Sequence, residues 1–359
     1  MTMNITAVPL AVLLAMLMAT GGRAAVAAQP SCGDVIVADT VLEENLDCPP
    51  FTHGLIIGAN GITVDLNGFA ISGARAGVGI FNIGYKGVTL KNGAISGFRD
   101  GVRAYRVKDF NLEDLALFNQ RYSSIVIIDA RDVRVTGIFV SLPPGGGDPD
   151  PVTGHVAEAI RFAQVNNGIV ADVLVEGGYF GVLSIGEPRQ SRDIVIVDSY
   201  FDDVQTGVRI VNNADARVAN NRVTGTEFGE GCFSGIDIVD QASHDIRVQD
   251  NIVRGCGQGI FAASDVPSSE LTIRDNEAYN NGIGILLLNV EDSTLFGNQA
   301  FLNEVAGLAL VESSQDNRIV ENIATGNGVI DMFHDESSTP NQWMYNICGT
   351  SVGADIDCP

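Results

Sequence analysis

The feature that most constrains this chain is an internal repeat. A short apolar strand ending on Asn recurs as Ala216-Arg-Val-Ala-Asn-Asn221, Ile246-Arg-Val-Gln-Asp-Asn251, Leu271-Thr-Ile-Arg-Asp-Asn276, Ser293-Thr-Leu-Phe-Gly-Asn298, Arg318-Ile-Val-Glu-Asn322 and Trp343-Met-Tyr-Asn346. The closing Asn residues are 30, 25, 22, 24 and 24 positions apart. Earlier copies end at Asn67, Asn92, Asp114 and Asp198, with weaker ones at Val133-Arg-Val-Thr136 and Ile169-Val-Ala-Asp172. A period of this size without a helical stripe marks a solenoid, in which each unit buries its apolar side only against its neighbours.

A second signal runs in phase with the first. Each unit carries Gly followed by alternating apolar residues, among them Gly77-Val-Gly-Ile, Gly101-Val-Arg-Ala, Gly181-Val-Leu-Ser, Gly207-Val-Arg-Ile, Gly235-Ile-Asp-Ile, Gly259-Ile-Phe-Ala, Gly284-Ile-Leu-Leu and Gly307-Leu-Ala-Leu. Glycine is expected to supply the turn and the alternation a strand. The fold class predicted is all-β: a single-domain right-handed parallel β-helix of about twelve coils, stacked at ~4.8 Å with Val, Ile, Leu and Phe inward. Asn suits the turns because it tolerates left-handed backbone and its amide can bond to the Asn above and below. Leucine-rich repeats share the period, but they would need a Leu consensus and a helix in each unit, whereas Val and Ile dominate here and the intervening segments are short and Gly-rich.

The ends are read from other features. Ala7 to Ala19 is an apolar run too short to span a bilayer, and small residues follow at Ala24-Ala25-Val26-Ala27-Ala28, so residues 1–28 are expected to be a signal peptide. Residues 29–53 then form an N-terminal cap, 54–346 the solenoid and 347–359 a C-terminal cap, since an uncovered terminal coil exposes strand edges. Export agrees with six cysteines. They allow fifteen connectivities, of which sequence-neighbour pairing, Cys32 with Cys48, Cys232 with Cys256 and Cys348 with Cys358, is the simplest; buried free thiols are the alternative. The formal charge of −23 makes nucleic acid a poor partner, and no second long apolar stretch provides a transmembrane anchor in the mature chain.

The Cys32-Gly-Asp opening, the Asp65-Leu-Asn67-Gly68 strand end, the Asn-ending coils and the Asn-x-Trp343 ending with Cys348 resemble secreted right-handed parallel β-helix repeat proteins of the pectin-lyase-like superfamily, near its NosD and carbohydrate-binding (CASH-type) group. The resemblance implies the fold throughout the mature chain and implies little about activity, because the superfamily holds lyases, epimerases, hydrolases and binding proteins. Motifs of individual enzymes are incomplete. Asp202-Asp203 and Arg209-Ile210 resemble polygalacturonase patterns without the Gly-His-Gly between them, and Asp148-Pro149 continues to Asp150 rather than to the His of an epimerase.

A site is expected where loops interrupt the regular stack. The longest insertion, Ser141 to Glu158, offers Asp148 and Asp150 as metal ligands, with Ca²⁺ the cation an acidic glycan would call for, and His155 and Glu158 as substrate-binding residues. Two-residue alternation along the Gly-led strands puts Gly79, Arg103, Val126, Arg161, Leu183, Arg209, Asp237, Phe261, Leu286 and Ala309 in one outward row. Arg161, Arg209 and Asp237 are its catalytic candidates; Arg103, with Tyr105 in the next row, would bind substrate. Exposed Arg beside Asp equally suits a solvated ion-pair ladder. Three functions follow: a secreted or periplasmic carbohydrate-directed protein acting on acidic glycan as lyase or epimerase; a non-catalytic solenoid that binds a polysaccharide or surface glycan; and a NosD-like periplasmic accessory in metalloenzyme maturation.

Overall fold

The structure, a computed structural model, describes residues 29–143, 156–225, 231–239, 243–353, 355–356 and 358. Every regular element among them is a β-strand, and every pairing between strands is parallel. Each coil of the right-handed β-helix contributes one strand to each of three sheets. In two successive coils these are Ile283–Glu291, Thr294–Phe296 and Gln299–Phe301, followed by Ala306–Val311, Arg318–Val320 and Ile323–Thr325. Twelve successive pairings connect thirteen strands of the second sheet from Thr40–Val41 to Gln342–Met344, and the twelve of these within residues 54–346 agree with the coil count expected from the repeat. One continuous apolar core runs inside from Ile36 to Cys348.

Both termini continue this architecture. Val35–Ile36, Thr40–Val41 and Leu46–Asp47 already pair with the next coil as a first rung. Disulfides Cys32–Cys48 and Cys348–Cys358 close the ends, and Cys232–Cys256 joins adjacent coils, so the neighbour pairing is the one present. No helix among the described residues is long and apolar enough to cross a membrane. Residues 1–28 lie outside the described residues.

The Asn doublets divide two tasks between them. In Asp250-Asn251 and Asp275-Asn276 the first residue takes the left-handed turn, φ 55° and 54°, while the second is buried. The buried members form a ladder: Asn221, Asn251, Asn276, Asn298 and Asn322 each donate Nδ2–H to the next Asn Oδ1, at 2.9 to 3.1 Å, and end on Asn346. A backbone N–H from each rung reaches the same oxygen, so no buried amide is left open.

The leading glycines do something other than turn the chain. A Cβ on Gly207 would lie 2.6 Å from the carbonyl oxygen of Gly235, and one on Gly235 would lie 2.7 Å from that of Gly259. Neither residue has left-handed backbone; each is Gly because the next coil leaves no room. Turn conformations are taken mostly by Asn and Asp instead.

Candidate functional site

The outer face of the first sheet carries Arg103, Arg161, Arg209 and Asp237. Its central row is Phe81, Arg103, Val126, Arg161, Leu183, Arg209, Asp237, Phe261, Leu286, Ala309 and Phe333, each the register partner of the next. The row expected from alternation holds except at its start. Val78 pairs with Asp100, so Gly79 falls beside Gly101 and Phe81 takes the outward place. In that coil Gly77 is the turn residue, φ 73°, and the second glycine is the one that leads the strand.

A cleft of about 450 Å³ opens on this face across three coils, lined by Arg99, Asp100, Arg103, Tyr105, Arg121, Tyr122, Ser123, Glu158 and Arg161 together with Val126 and Ile128. Its two carboxylates are buried and both hold arginines. Asp100 Oδ2 lies 3.1 Å from Arg99 Nε and 3.3 Å from an Arg103 terminal nitrogen. Glu158 Oε1 lies 3.0 Å from Arg161, and Ser123 donates its hydroxyl to Glu158 Oε2 at 3.3 Å. Arg103 spans the Tyr105 ring at 5.7 Å and Arg121 the Tyr122 ring at 5.0 Å. Tyr105 meets Phe81 edge-on, and Phe81 stacks on His53 in the coil before.

The chemistry of this arrangement is that of anion recognition. Four guanidinium groups against two carboxylates leave an excess of two positive charges, on a chain of net charge −23. Buried carboxylates fix the guanidinium groups of Arg99, Arg103 and Arg161 without being free to act as bases, so these arginines are held ready for an incoming carboxylate. Arg103 Nε is buried and has no acceptor. Tyr105 adds an aromatic face beside these donors, which suits a sugar ring.

Of the expected residues, the structure brings Arg103, Tyr105, Glu158 and Arg161 into this cleft. Arg209 lies two coils beyond Arg161, with Leu183 between them, and Asp237 one coil farther. These two form their own pair at 3.8 Å. Burial pushes the Asp237 carboxyl up to about 6, against the opposing pull of Ser234 and Arg209. Asp148, Asp150 and His155 lie outside the described residues. Sequence alternation missed Arg99, Asp100, Arg121 and Tyr122, which lie at the corner where the strands begin; a charged pair just before the glycine, Arg99-Asp100-Gly101, was the signal. On another edge His244, Asp245 and Glu270 place ligand atoms within 4.8 Å of one another, the His244 Nδ1 being 3.0 Å from Asp245 Oδ2.

A family model described as "Periplasmic copper-binding protein (NosD)" matches residues 165–352, 188 of 359 positions. No curated protein matches the chain. Solved structures with the same fold include an exopolygalacturonase from Thermotoga maritima, 11% identical with TM-score 0.53, covering 84% of this chain and 81% of that one. The surface adhesin PfbA of Streptococcus pneumoniae is 12% identical at TM-score 0.55, covering 87% and 85%. The periplasmic alginate epimerase AlgG is 13% identical at TM-score 0.55, covering 86% and 74%. At these identities the likeness is one of fold.

Copper takes thiolate, thioether and imidazole as Cu(I), and imidazole together with oxygen donors as Cu(II). Here all six cysteines are in disulfides, Met332 is buried in the core, and His53, His244 and His334 sit in separate coils. Met332 and His334 share the strand Ile330–His334, but Gly353 lies so close to the ring edge bearing His334 Nε2 that even a Cβ there would overlap it. The oxidised cysteines offer no thiolate, and among the described residues the imidazole that stands with other possible ligands is His244, beside Asp245 and Glu270.

Proposed function

The chain belongs to the NosD family, described as periplasmic, and from that premise we propose that it works outside the cytoplasm and binds an acidic glycan through the cleft between Arg99 and Arg161. The three disulfides and the apolar opening segment support an extracytoplasmic location. The carrying observation is the set of carboxylate-clamped arginines beside Tyr105, a cationic patch on a strongly acidic protein. A protein of net charge −23 repels a polyanion on the whole, and in this cleft arginines outnumber carboxylates four to two. The guanidinium groups supply the positive charge for which bridging Ca²⁺ would otherwise be needed. All the cleft residues precede residue 165, so the family match carries nothing about them; the reading rests on their geometry.

Binding is favoured over turnover because both carboxylates of the cleft are engaged by arginine and neither is free as a general base. Titration calorimetry with oligogalacturonate tests the reading. The expected result is binding that weakens with salt and falls at least about tenfold in Arg103→Ala and in Arg161→Ala; no binding of any uronate oligomer by the intact protein would overturn it. Reducing ends released from the same oligomer, and lost on chelation, would establish a metal-dependent cleaving enzyme in place of a binding protein.

A further inference from the structure

Asp237 is the charged group on the outer face that nothing in the fold accounts for. It stands in the central outward row between Arg209 and Phe261, yet it is only 5% exposed. Its Oδ2 is 3.8 Å from Arg209, too long for a charge-assisted hydrogen bond, and its Oδ1 is buried with no hydrogen bond among the described residues, the neighbouring Ser234 hydroxyl being donated to Gln258 Oε1 at 3.0 Å. Buried carboxylate oxygens are almost always satisfied, because the lost hydration is recovered in no other way. Around it, Arg209 lies over the Phe180 ring at 5.7 Å, and the Thr206 and Ser234 hydroxyls belong to the adjoining row. Arg209, with 31% of its side chain exposed, is the movable cover.

We propose that Asp237, Arg209 and the flanking, part-exposed Phe261 form a second subsite, which takes an uncharged, hydroxyl-bearing sugar ring of the same glycan that the cleft holds by its acid groups. This rests on the acidic-glycan reading above and narrows it to a chain containing both uronate and neutral rings. A sugar hydroxyl is the donor that Asp237 Oδ1 lacks. Arg209 donates to the hydroxyl and ring oxygens, and Phe261 offers an apolar face. A uronate here would set its carboxylate against Asp237 and be excluded by like charge. The subsite and the cleft share one face: Arg103 to Asp237 is five coil steps, roughly 24 Å, within reach of a short oligosaccharide lying along the axis.

Proton linkage follows from the same geometry. A hydroxyl that donates to Asp237 favours its ionised form, so the ring binds more tightly above pH about 6 and more weakly below it, as the carboxyl takes a proton. Among described residues the charged group facing Asp237 is Arg209; Phe261, Ser234 and Val239 carry no charge.

The test is calorimetry on the full protein with two probes, a hyaluronan octasaccharide, in which uronate and neutral rings alternate, and an oligogalacturonate octamer, which is all uronate. The intact protein is expected to prefer the alternating probe and to release protons on binding it near pH 6. Asp237→Leu should lose about tenfold or more for that probe and nothing for the other, with Asp237→Asn between. Equal affinity of Asp237→Leu and the intact protein for the alternating probe, or no binding of that probe, overturns the subsite. Failure of the cleft reading is distinguishable, because it would leave oligogalacturonate affinity unchanged in Arg161→Ala. Thermal unfolding checks that each variant is folded.

Discussion

Asn251 and Asn276 stand one above the other in successive coils, and the Oδ1 of Asn276 receives both the backbone N–H of Asn251 at 3.0 Å and its Nδ2–H at 2.9 Å. Asn276 Nδ2 in turn donates to Val248 O and to Asn298 Oδ1, both at 2.9 Å. One side chain thus bonds to the coils on both sides of its own. Asn276→Ala leaves a buried N–H and a carbonyl without partners and is expected to cost about 3 kcal/mol, read from denaturant unfolding. A loss no larger than that of an exposed Asn, such as Asn220→Ala, would show that the ladder is not what holds these coils in register.

The glycine column makes a steric prediction. In Gly207→Ala the new Cβ would press on the carbonyl of Gly235 at 2.6 Å and on the Val223 methyl at 2.7 Å. Backbone has to move to relieve it, so a loss of about 1–3 kcal/mol is expected. If glycine were there to turn the chain, Gly207→Asn would be tolerated; a lower melting temperature for Asn than for Ala is the outcome that distinguishes packing from turning.

The cleft should depend on its carboxylates as clamps. Asp100→Asn removes the anion shared by Arg99 and Arg103, both partly solvated, and is expected to cost about 1 kcal/mol of stability. Oligogalacturonate affinity should fall as well, although the substitution makes the cleft more positive, because the guanidinium forks lose their fixed orientation. Tighter binding by Asp100→Asn would mean that net charge, and not arrangement, governs recognition.

Asp237 makes stability depend on pH in an unusual sense. Burial raises its folded value to about 6 from the ordinary 3.8, so between these limits the folded chain binds more protons than the unfolded one. The group therefore destabilises increasingly as pH rises through about 4 to 6 and most fully above that window. Asp237→Asn is expected to be more stable than the intact protein at pH 8, by on the order of 2–3 kcal/mol, with the difference vanishing below pH 4. Parallel stability curves across that range would show that the carboxyl is not desolvated as the fold implies.

Fold and site differed in how far they could be read in advance. The Asn-ending units and Gly-led strands were enough for the coil number, the parallel stacking and all but the first residue of the outward row. The reading failed at the strand corners. Gly101 and Val102 both face the core, so Asp100 and Arg103, three apart, both face outward and meet at one carboxylate. Strict alternation cannot register that step, and Arg99, Asp100, Arg121 and Tyr122 were missed for the same reason. The doublets misled in a smaller way, since two roles assigned to one Asn are split between Asp250 and Asn251.

The sequence by itself determined the architecture of this protein, because a solenoid is a local repeat: each coil touches only the coils before and after it, and a period of 22 to 30 residues states those contacts in one dimension. Only the tertiary structure decided which charges meet. Arg161 pairs with Glu158 on its own strand, while Arg209 reaches Asp237 in the next coil, and the orphaned oxygen of Asp237 is visible only once its neighbours are in place. Electrostatic partners are chosen by distances of a few ångströms across coils, and the repeat, which sets the rise between coils, leaves the direction of each long side chain to its packing.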